Sequence, residues 1–463
     1  MTAMGSINTT LSIAMQALNA TQGALTATSN NIANANTPGY TREVPQFTEN
    51  QETESNDGVS GGGVTLDGLQ SIRDELLNMQ IQQQTSLQKS IDTQSAALQQ
   101  IQTNFTTSSG ADIASTLSAF SVSITQLSAN PSSSSVQQGV LSSGQNLADA
   151  FNSTANALTS AQSSANQLVT QTVAQINTLT SQIAQLNTQL SETQTPVNNG
   201  GTIEDQRDQL VQQLSALTGI SITQSSDGET ITTGNGSTLV VGGKSMTLQT
   251  ATGSNGMQQV IDASGSNITS SVQGGTLGGA IQIRDQTMPG LLNQLNTLAT
   301  QFATAFNTAQ AQGFDSNGNV GQNFFTLPAN PASAASGITV AISNPSMVAV
   351  SSDGSPGSNG NVTNLSAALT GTLPSGQTTA QAYATLVYQV GNDASNASEQ
   401  STAIGLSLQQ LTDQQGAVSA VSTDEEASNL IRYQTAYEAA ARIVSTIQQL
   451  DSVTLNMGTS GGY

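Results

Sequence analysis

The chain has 463 residues with eight Lys or Arg against 29 Asp or Glu, a formal net charge of −21, and no Cys, His or Trp. This removes thiol and imidazole nucleophiles, histidine bases, the usual zinc ligands and any disulfide. The basic residues (Arg42, Arg73, Lys89, Arg207, Lys244, Arg284, Arg432, Arg442) form no cluster in sequence, so binding to nucleic acid or an anionic membrane surface is disfavoured.

Only 3% of residues are aromatic, so less apolar area can be buried per residue than in an ordinary enzyme. Side-by-side long helices with small polar sheets fit such a chain better than one large globule. No run reaches the roughly 18 apolar residues of a membrane span, and no membrane insertion is expected. The first charged side chain is Arg42. A secretory signal would need a basic start, so the chain either stays inside or leaves by a route that reads no cleavable signal.

The N-terminus predicts a helix. Ile7, Leu11, Ala14, Leu18, Thr21, Leu25, Thr28 and Ile32 follow a 4-3-4-3 spacing, a coiled-coil seam. Pro38 and Gly39 stop it after an Asn-rich stretch. Gly61-Gly62-Gly63 lacks the lysine of a phosphate loop and reads as a turn. Helical spacing returns in Leu87–Phe105, in Val169–Leu190 before Pro196, in Ile203–Leu217, in Leu291–Phe306 after Pro289 and in Tyr383–Leu411.

Short alternating runs occupy about 219–280 and begin at Ile220, Thr230, Leu239 and Met246. Asp227-Gly228, Asn235-Gly236 and Gly242-Gly243 separate them, which predicts antiparallel hairpins. Further strands are expected within 325–375. Asp315-Ser-Asn317-Gly-Asn319 opens like a calcium loop, but Val320 and Thr326 stand where that loop needs Gly and Glu, so a hairpin turn is the reading. The last helix is expected to start at Thr423 with a capping box to Glu426. It carries Leu430, Tyr433, Tyr437, Ala440, Val444 and Ile447 on one seam and ends near Gly458 and Gly461-Gly462-Tyr463. Tyr433 and Tyr437 serve either as partner anchors or as plain core, and Arg432/Glu425 and Arg442/Glu438 read as weak surface pairs.

The expected fold is mainly α with a β insert (α+β), with terminal helices in a coiled coil, a helical rod or bundle, and a small antiparallel β-domain looped out. The expected segments are the N-terminal axial helix and loop (1–50), rod (51–218), β-rich insert (219–280), rod (281–324), β/loop-rich insert (325–376), rod (377–415) and C-terminal axial helix (416–463). The two terminal helices bury too few large side chains to order alone and are expected to order on assembly.

Three blocks resemble the flagellar axial proteins. Ser29-Asn30-Asn31-Ile32-Ala33-Asn34-Ala35-Asn36-Thr37-Pro38-Gly39-Tyr40 is similar to the N-terminal signature of rod, hook and junction proteins. Residues 205–243 and 274–325 resemble the hook-associated protein 1 family within that group, and 421–458 looks like its C-terminal helix. The resemblance implies a structural adaptor at the hook–filament junction; that the chain is not an enzyme and carries no cofactor or metal is expected from the composition and the lack of a site motif. The implied partners are the flagellar hook protein, the second hook-associated junction protein, further copies of the chain in a helical assembly, and a cytoplasmic export chaperone on the C-terminal helix. It also implies an extracellular place on the flagellum, reached through the type III apparatus without signal cleavage. The competing classes are an extracellular carbohydrate-active enzyme using a carboxylate pair, for which no spacing is found, and a secreted adhesin using the β-domain.

Overall fold

A computed structural model describes residues 2–51, 53–55, 58–105, 110–193, 201–225 and 228–459. The expected roles of Pro196, of Asp227 and of the terminal Gly461-Gly462-Tyr463 lie outside them.

Helix α1 (Thr2–Asn34) contains no charged residue, and its descent ends in the asparagine-rich turn. The chain then forms a hairpin, β1 (Glu43–Glu49) with β4 (Val64–Ser71), paired from Glu43↔Ser71 to Glu49↔Val64 with a bulge between Gln46 and Phe47. Strands β2 (Thr53–Ser55) and β3 (Gly58–Ser60) extend it. The expected boundary at residue 50 cuts through this hairpin, and the rod starts only at α2 (Glu75–Phe105). The alternation here is broken by Pro45, Asp67 and Gly68, so the hairpin escapes a periodicity reading even though the sequence between the strands contains the turn dipeptide Asp57-Gly58.

Helix α3 (Ile113–Ala129) precedes α4 (Ser134–Thr193), whose 60 residues span about 90 Å. Val140, Leu147, Phe151, Ala155, Leu158, Val169, Val173, Ile176 and Ile183 keep one buried line along α4. Its first half carries no clear helical stripe in the sequence because Ser and Ala fill most of the positions between. Gly144 lets α4 approach Phe324, since a Cβ there would lie 2.6 Å from the ring. Helix α5 (Gly201–Leu217) then leads into an antiparallel sheet of β5 (Ile220–Ser225), β6 (Gly228–Thr233), β7 (Thr238–Val241) and β8 (Lys244–Ser245), in that order. The hairpin of β9 (Gln249–Thr252) and β10 (Gln258–Ile261) follows. The run at Met246 is a connection and not a strand; Met246 N–H returns to the Leu239 carbonyl at 2.7 Å.

After α6 (Gly275–Gln282) comes a five-residue π-helical turn (Ile283–Thr287) and α7 (Met288–Ala311), with Pro289 in its first turn. The segment expected to hold strands near 325–375 has only two-residue ones, β11 (Phe325–Thr326) and β12 (Thr339–Val340), around α8 (Ala334–Gly337), and then α9 (Val362–Thr370). Asp315 accepts from the backbone N–H of Asn317 and Asn319, each at 2.8 Å, which makes the hairpin turn read from the sequence. Helices α10 (Thr379–Ser419) and α11 (Thr423–Thr459) close the chain. A capping box is formed at Thr378 and Gln381, at the start of α10. Helix α11 runs past Gly458.

The result is a mainly α molecule with a β insert. An inner unit pairs α1 with α11, antiparallel, with the β1–β4 hairpin laid on α1. A rod begins with the antiparallel pair α2 and α10, joined at Asn78–Gln415, Asp92–Ser401 and Phe105–Tyr383. It widens into a bundle whose core holds Phe120, Phe302, Phe306, Phe324 and Phe325, with ring centroids 4.8 Å apart for Phe324 and Phe325. A second core packs the insert on the later half of α4, through Val169, Ile176, Ile183, Ile231, Val240 and Val260.

Candidate functional site

The chain crosses between inner unit and rod twice, at 72–74 and at 420–422, and both crossings lie beside the turn that ends α1. That turn is built by the asparagine signature. Asn34 takes its amide to the Asn30 carbonyl (3.1 Å) and accepts from the Thr37 hydroxyl (3.2 Å), which closes the helix end. Gly39 has φ +80°, and a Cβ on it would sit 2.1 Å from Gln209 Nε2, so this position needs glycine. Gln209 of α5 donates to the Pro38 carbonyl at 2.8 Å. Asn30, Ala33, Asn36, Thr37 and Pro38 are themselves exposed.

Asn31 is 1% exposed and uses all of its hydrogen-bonding capacity. Its Nδ2 donates to the Glu43 carbonyl (2.8 Å) and to Glu426 (3.2 Å). Its Oδ1 accepts from Glu43 N–H (3.0 Å) and from the Tyr40 hydroxyl (2.9 Å). Burial, then the nearby carboxylates of Glu43, Asp205 and Glu426, push the Tyr40 hydroxyl far above its ordinary value, so it stays a donor.

Glu426, expected as a helix cap, is turned inward instead. It is 2% exposed and meets Arg42 Nε at 2.8 Å, while Arg42 also reaches Glu425 at 2.8 Å. Ser422, and not Thr423, takes the cap position: its hydroxyl accepts from Glu425 N–H at 3.4 Å. Glu425 therefore faces Arg42 and not Arg432, whose guanidinium lies 5.0 Å from the centroid of the Tyr433 ring.

On the rod side, Asp205 accepts from Thr41 N–H (2.9 Å), the Thr41 hydroxyl (2.6 Å) and Arg73 (2.7 Å). Arg73 also holds Asp208, Glu204 and the Gly201 carbonyl. Burial raises the carboxyls of Glu43, Glu204 and Asp205 above the ordinary range, and Asp205 raises Glu43 further. Arg207 ties α5 to Glu229 of β6 at 2.9 Å. Sequence reading missed Arg42, Glu43, Arg73 and Asp205. Arg42 and Glu43 had a signal, as the first charges after an uncharged helix, and the other two had none.

The expected N-terminal seam lies partly to one side. Ala14 is buried, Ile7, Leu11, Leu18 and Leu25 are half-buried, and Ile32 is 37% exposed. The deepest line is Ala14, Ala20, Ala24, Ala27, Thr28 and Asn31. Small residues sit innermost because α1 is sandwiched between α11 and the hairpin, where Leu66 already fills the space over Gly23. On α11, Ala440 and Ile447 are buried, Leu430, Tyr433 and Val444 half-buried, and Tyr437 37% exposed. Tyr433 packs against Phe47 of β1, with ring centroids 6.4 Å apart. Among the described residues no cluster of three metal-ligating side chains occurs, and no helix is long and apolar enough to cross a membrane.

Three family models match the chain. Residues 98–325 match the flagellar hook-associated protein FlgK helical domain, 11–41 the flagella basal body rod protein, and 414–457 the flagellar basal body rod FlgEFG protein C-terminal model. Flagellar hook-associated protein 1 of Bacillus subtilis is 31% identical over 504 residues, covering 97% of this chain and 98% of that protein. The Escherichia coli protein of the same name is 27% identical over 541 residues, covering 96% and 98%. The flagellar hook junction protein FlgK from Burkholderia pseudomallei superposes with a TM-score of 0.66 at 19% identity, over 73% of this chain and 100% of that one, a likeness of fold.

Proposed function

The chain belongs to the flagellar hook-associated protein 1 family, and on that premise we propose how it acts as the structural component that joins hook to filament. The observation that carries the reading is the surface of the inner pair. Helix α11 has α1 along one side, yet Ile431, Ile443, Leu450 and Val453 are 65%, 47%, 52% and 53% exposed. Helix α1 adds Met15 at 52%. Large apolar side chains in such number on a long two-helix element call for neighbours.

The two helices present different surfaces, so contacts between copies are heterologous and propagate along a helical lattice instead of closing as a dimer. Copies therefore stand side by side in the axial structure, with the hook protein on one side and the second junction protein on the other. The seam residues Leu11, Leu18, Leu25, Leu430, Tyr433 and Val444, half-buried within one copy, complete their burial there. Before export a cytoplasmic chaperone covers the α11 stripe, with Tyr433 and Tyr437 as anchors. The chain then passes the type III apparatus unfolded and uncleaved, which suits a cysteine-free sequence. We read the role as structural and without catalysis, since the composition offers no His or Cys and Asp205 and Asp208, which line a cleft, are both held by Arg73. The test is to mix the purified chain with hooks sheared from cells. Electron microscopy should show a short added segment on the distal hook end, and Ile443→Asp/Leu450→Asp should abolish it; hooks left bare by the unaltered chain contradict the reading.

A further inference from the structure

We infer that the joint between inner unit and rod is a proton-controlled lock: the carboxyl groups around Glu43 and Asp205 outnumber the guanidinium groups facing them, so they hold the two parts together while one of the excess carboxyls carries a proton and loosen the joint when all are ionised. The covalent crossings at 72–74 and 420–422 have no regular structure and cannot fix an angle by themselves. The setting is fixed by contacts across the joint. These are Thr41 on Asp205, Gln209 on the Pro38 carbonyl, the Arg42 N–H on the Ser419 carbonyl (3.0 Å), and Arg73 on the first turns of α5. Glu43 is pressed against the same turn, where a Cβ on Gly201 would lie 2.4 Å from its Oε1.

The charges at this level do not balance. Strand β1 brings Glu43, and α5 brings Glu204, Asp205 and Asp208. Helix α11 brings Glu425 and Glu426, and Asp74 precedes α2. Among the described residues Arg42, Arg73 and Arg207 stand against these, and Arg207 is shared with Glu229. Helix α1 contributes no charge, and the end of α10 contributes Gln415, Val418 and Ser419. A cleft of about 100 Å³ beside Arg73, Asp208 and Gln415 opens to solvent, so protons reach the cluster. The raised carboxyls of Glu43, Glu204 and Asp205 give the sign. The closed joint binds protons more tightly than the open one, so closure is favoured below the raised values and weakens as pH rises through them. All three carboxyls lie above the ordinary carboxylate range, so the window lies above that range as well.

A joint of adjustable stiffness would let one subunit sit between two tubes of different geometry. That use rests on the function proposed above, but the lock does not, and it is tested on the purified full chain. Hydrogen exchange at the Thr41 and Arg42 amides, corrected for intrinsic rate, is compared at about pH 5 and about pH 8. We expect at least tenfold more protection at the lower pH. Glu43→Gln and Asp205→Asn, two independent ways of removing a titrating carboxyl, should each flatten the response; Asp205→Asn keeps an acceptor for Thr41. Asp353→Asn, remote from the joint, should leave it intact. Equal protection at both pH values, protection at neither, or an unchanged response in both joint variants overturns the lock.

Discussion

Asn177 in the later half of α4 closes its carboxamide on both backbone groups of Leu248, donating to the carbonyl at 2.8 Å and accepting the N–H at 2.9 Å. The same grip joins Asn31 to Glu43 and Asn307 to Phe325. In each case a helix asparagine stands in for the missing strand neighbour of a chain segment laid against it. A chain with few aromatics and no disulfides thus docks its non-helical parts through backbone recognition. Asn177→Ala should leave the buried Leu248 groups unpaired and destabilise the chain by about 2–4 kcal/mol in chemical denaturation. Asn177→Asp keeps one acceptor but sets a carboxylate against a carbonyl, and should do no better.

At the end of α1, Gly39→Ala meets two obstacles, the positive φ and the Gln209 side chain. The backbone part should cost about 1–2 kcal/mol, with a further loss from the contact. A double-mutant cycle with Gln209→Ala separates them. The contact part should vanish in the double variant and the backbone part should remain.

Within the bundle, Phe306 is fully buried and lies 5.0 Å from Phe120 and 5.1 Å from Phe324, centroid to centroid. Phe306→Ala should cost about 3–5 kcal/mol by lost transfer energy and cavity formation. The drop should appear in the denaturation midpoint without a change of slope if the bundle unfolds as one unit.

Arg284 lies in the π-helical turn at 2% exposure. It forks onto Asp285 with two bonds of 2.7 Å and donates to the Gln258 carbonyl at 2.6 Å, while Asn166 takes the Gln258 N–H. One residue of β10 is thus held from both sides. Arg284→Lys cannot reproduce the fork and should cost about 1–3 kcal/mol, the penalty for leaving a buried acceptor such as the Gln258 carbonyl unsatisfied. Amide exchange should rise first in β9 and β10 and leave α7 protected; uniform exchange through the rod would speak against a local clasp.

Much of the helical frame is legible in the sequence because Leu, Ile and Val mark α2, α5, α7 and α10 at helical spacing, and Gly-containing turns mark β5 to β7. The joint is less so. Its chemistry comes from Arg42, Arg73, Asp205 and Glu426, which lie far apart in the chain and have no shared pattern. Glu426 shows the limit clearly: its spacing from Thr423 suits a capping box, yet the half-buried Arg42 guanidinium and the Asn31 amide take its carboxylate away from the helix end. The β1–β4 hairpin was hidden for a different reason, since half of its residues face α1 and half face solvent without strict alternation.

Whether this chain joins hook to filament is decided by deletion of its gene followed by electron microscopy of the cells. Cells with hooks but no filaments, monomeric flagellin in the medium, and filaments restored when the gene is supplied in trans are the expected result. Filaments of normal length and number in the deletion strain would contradict it.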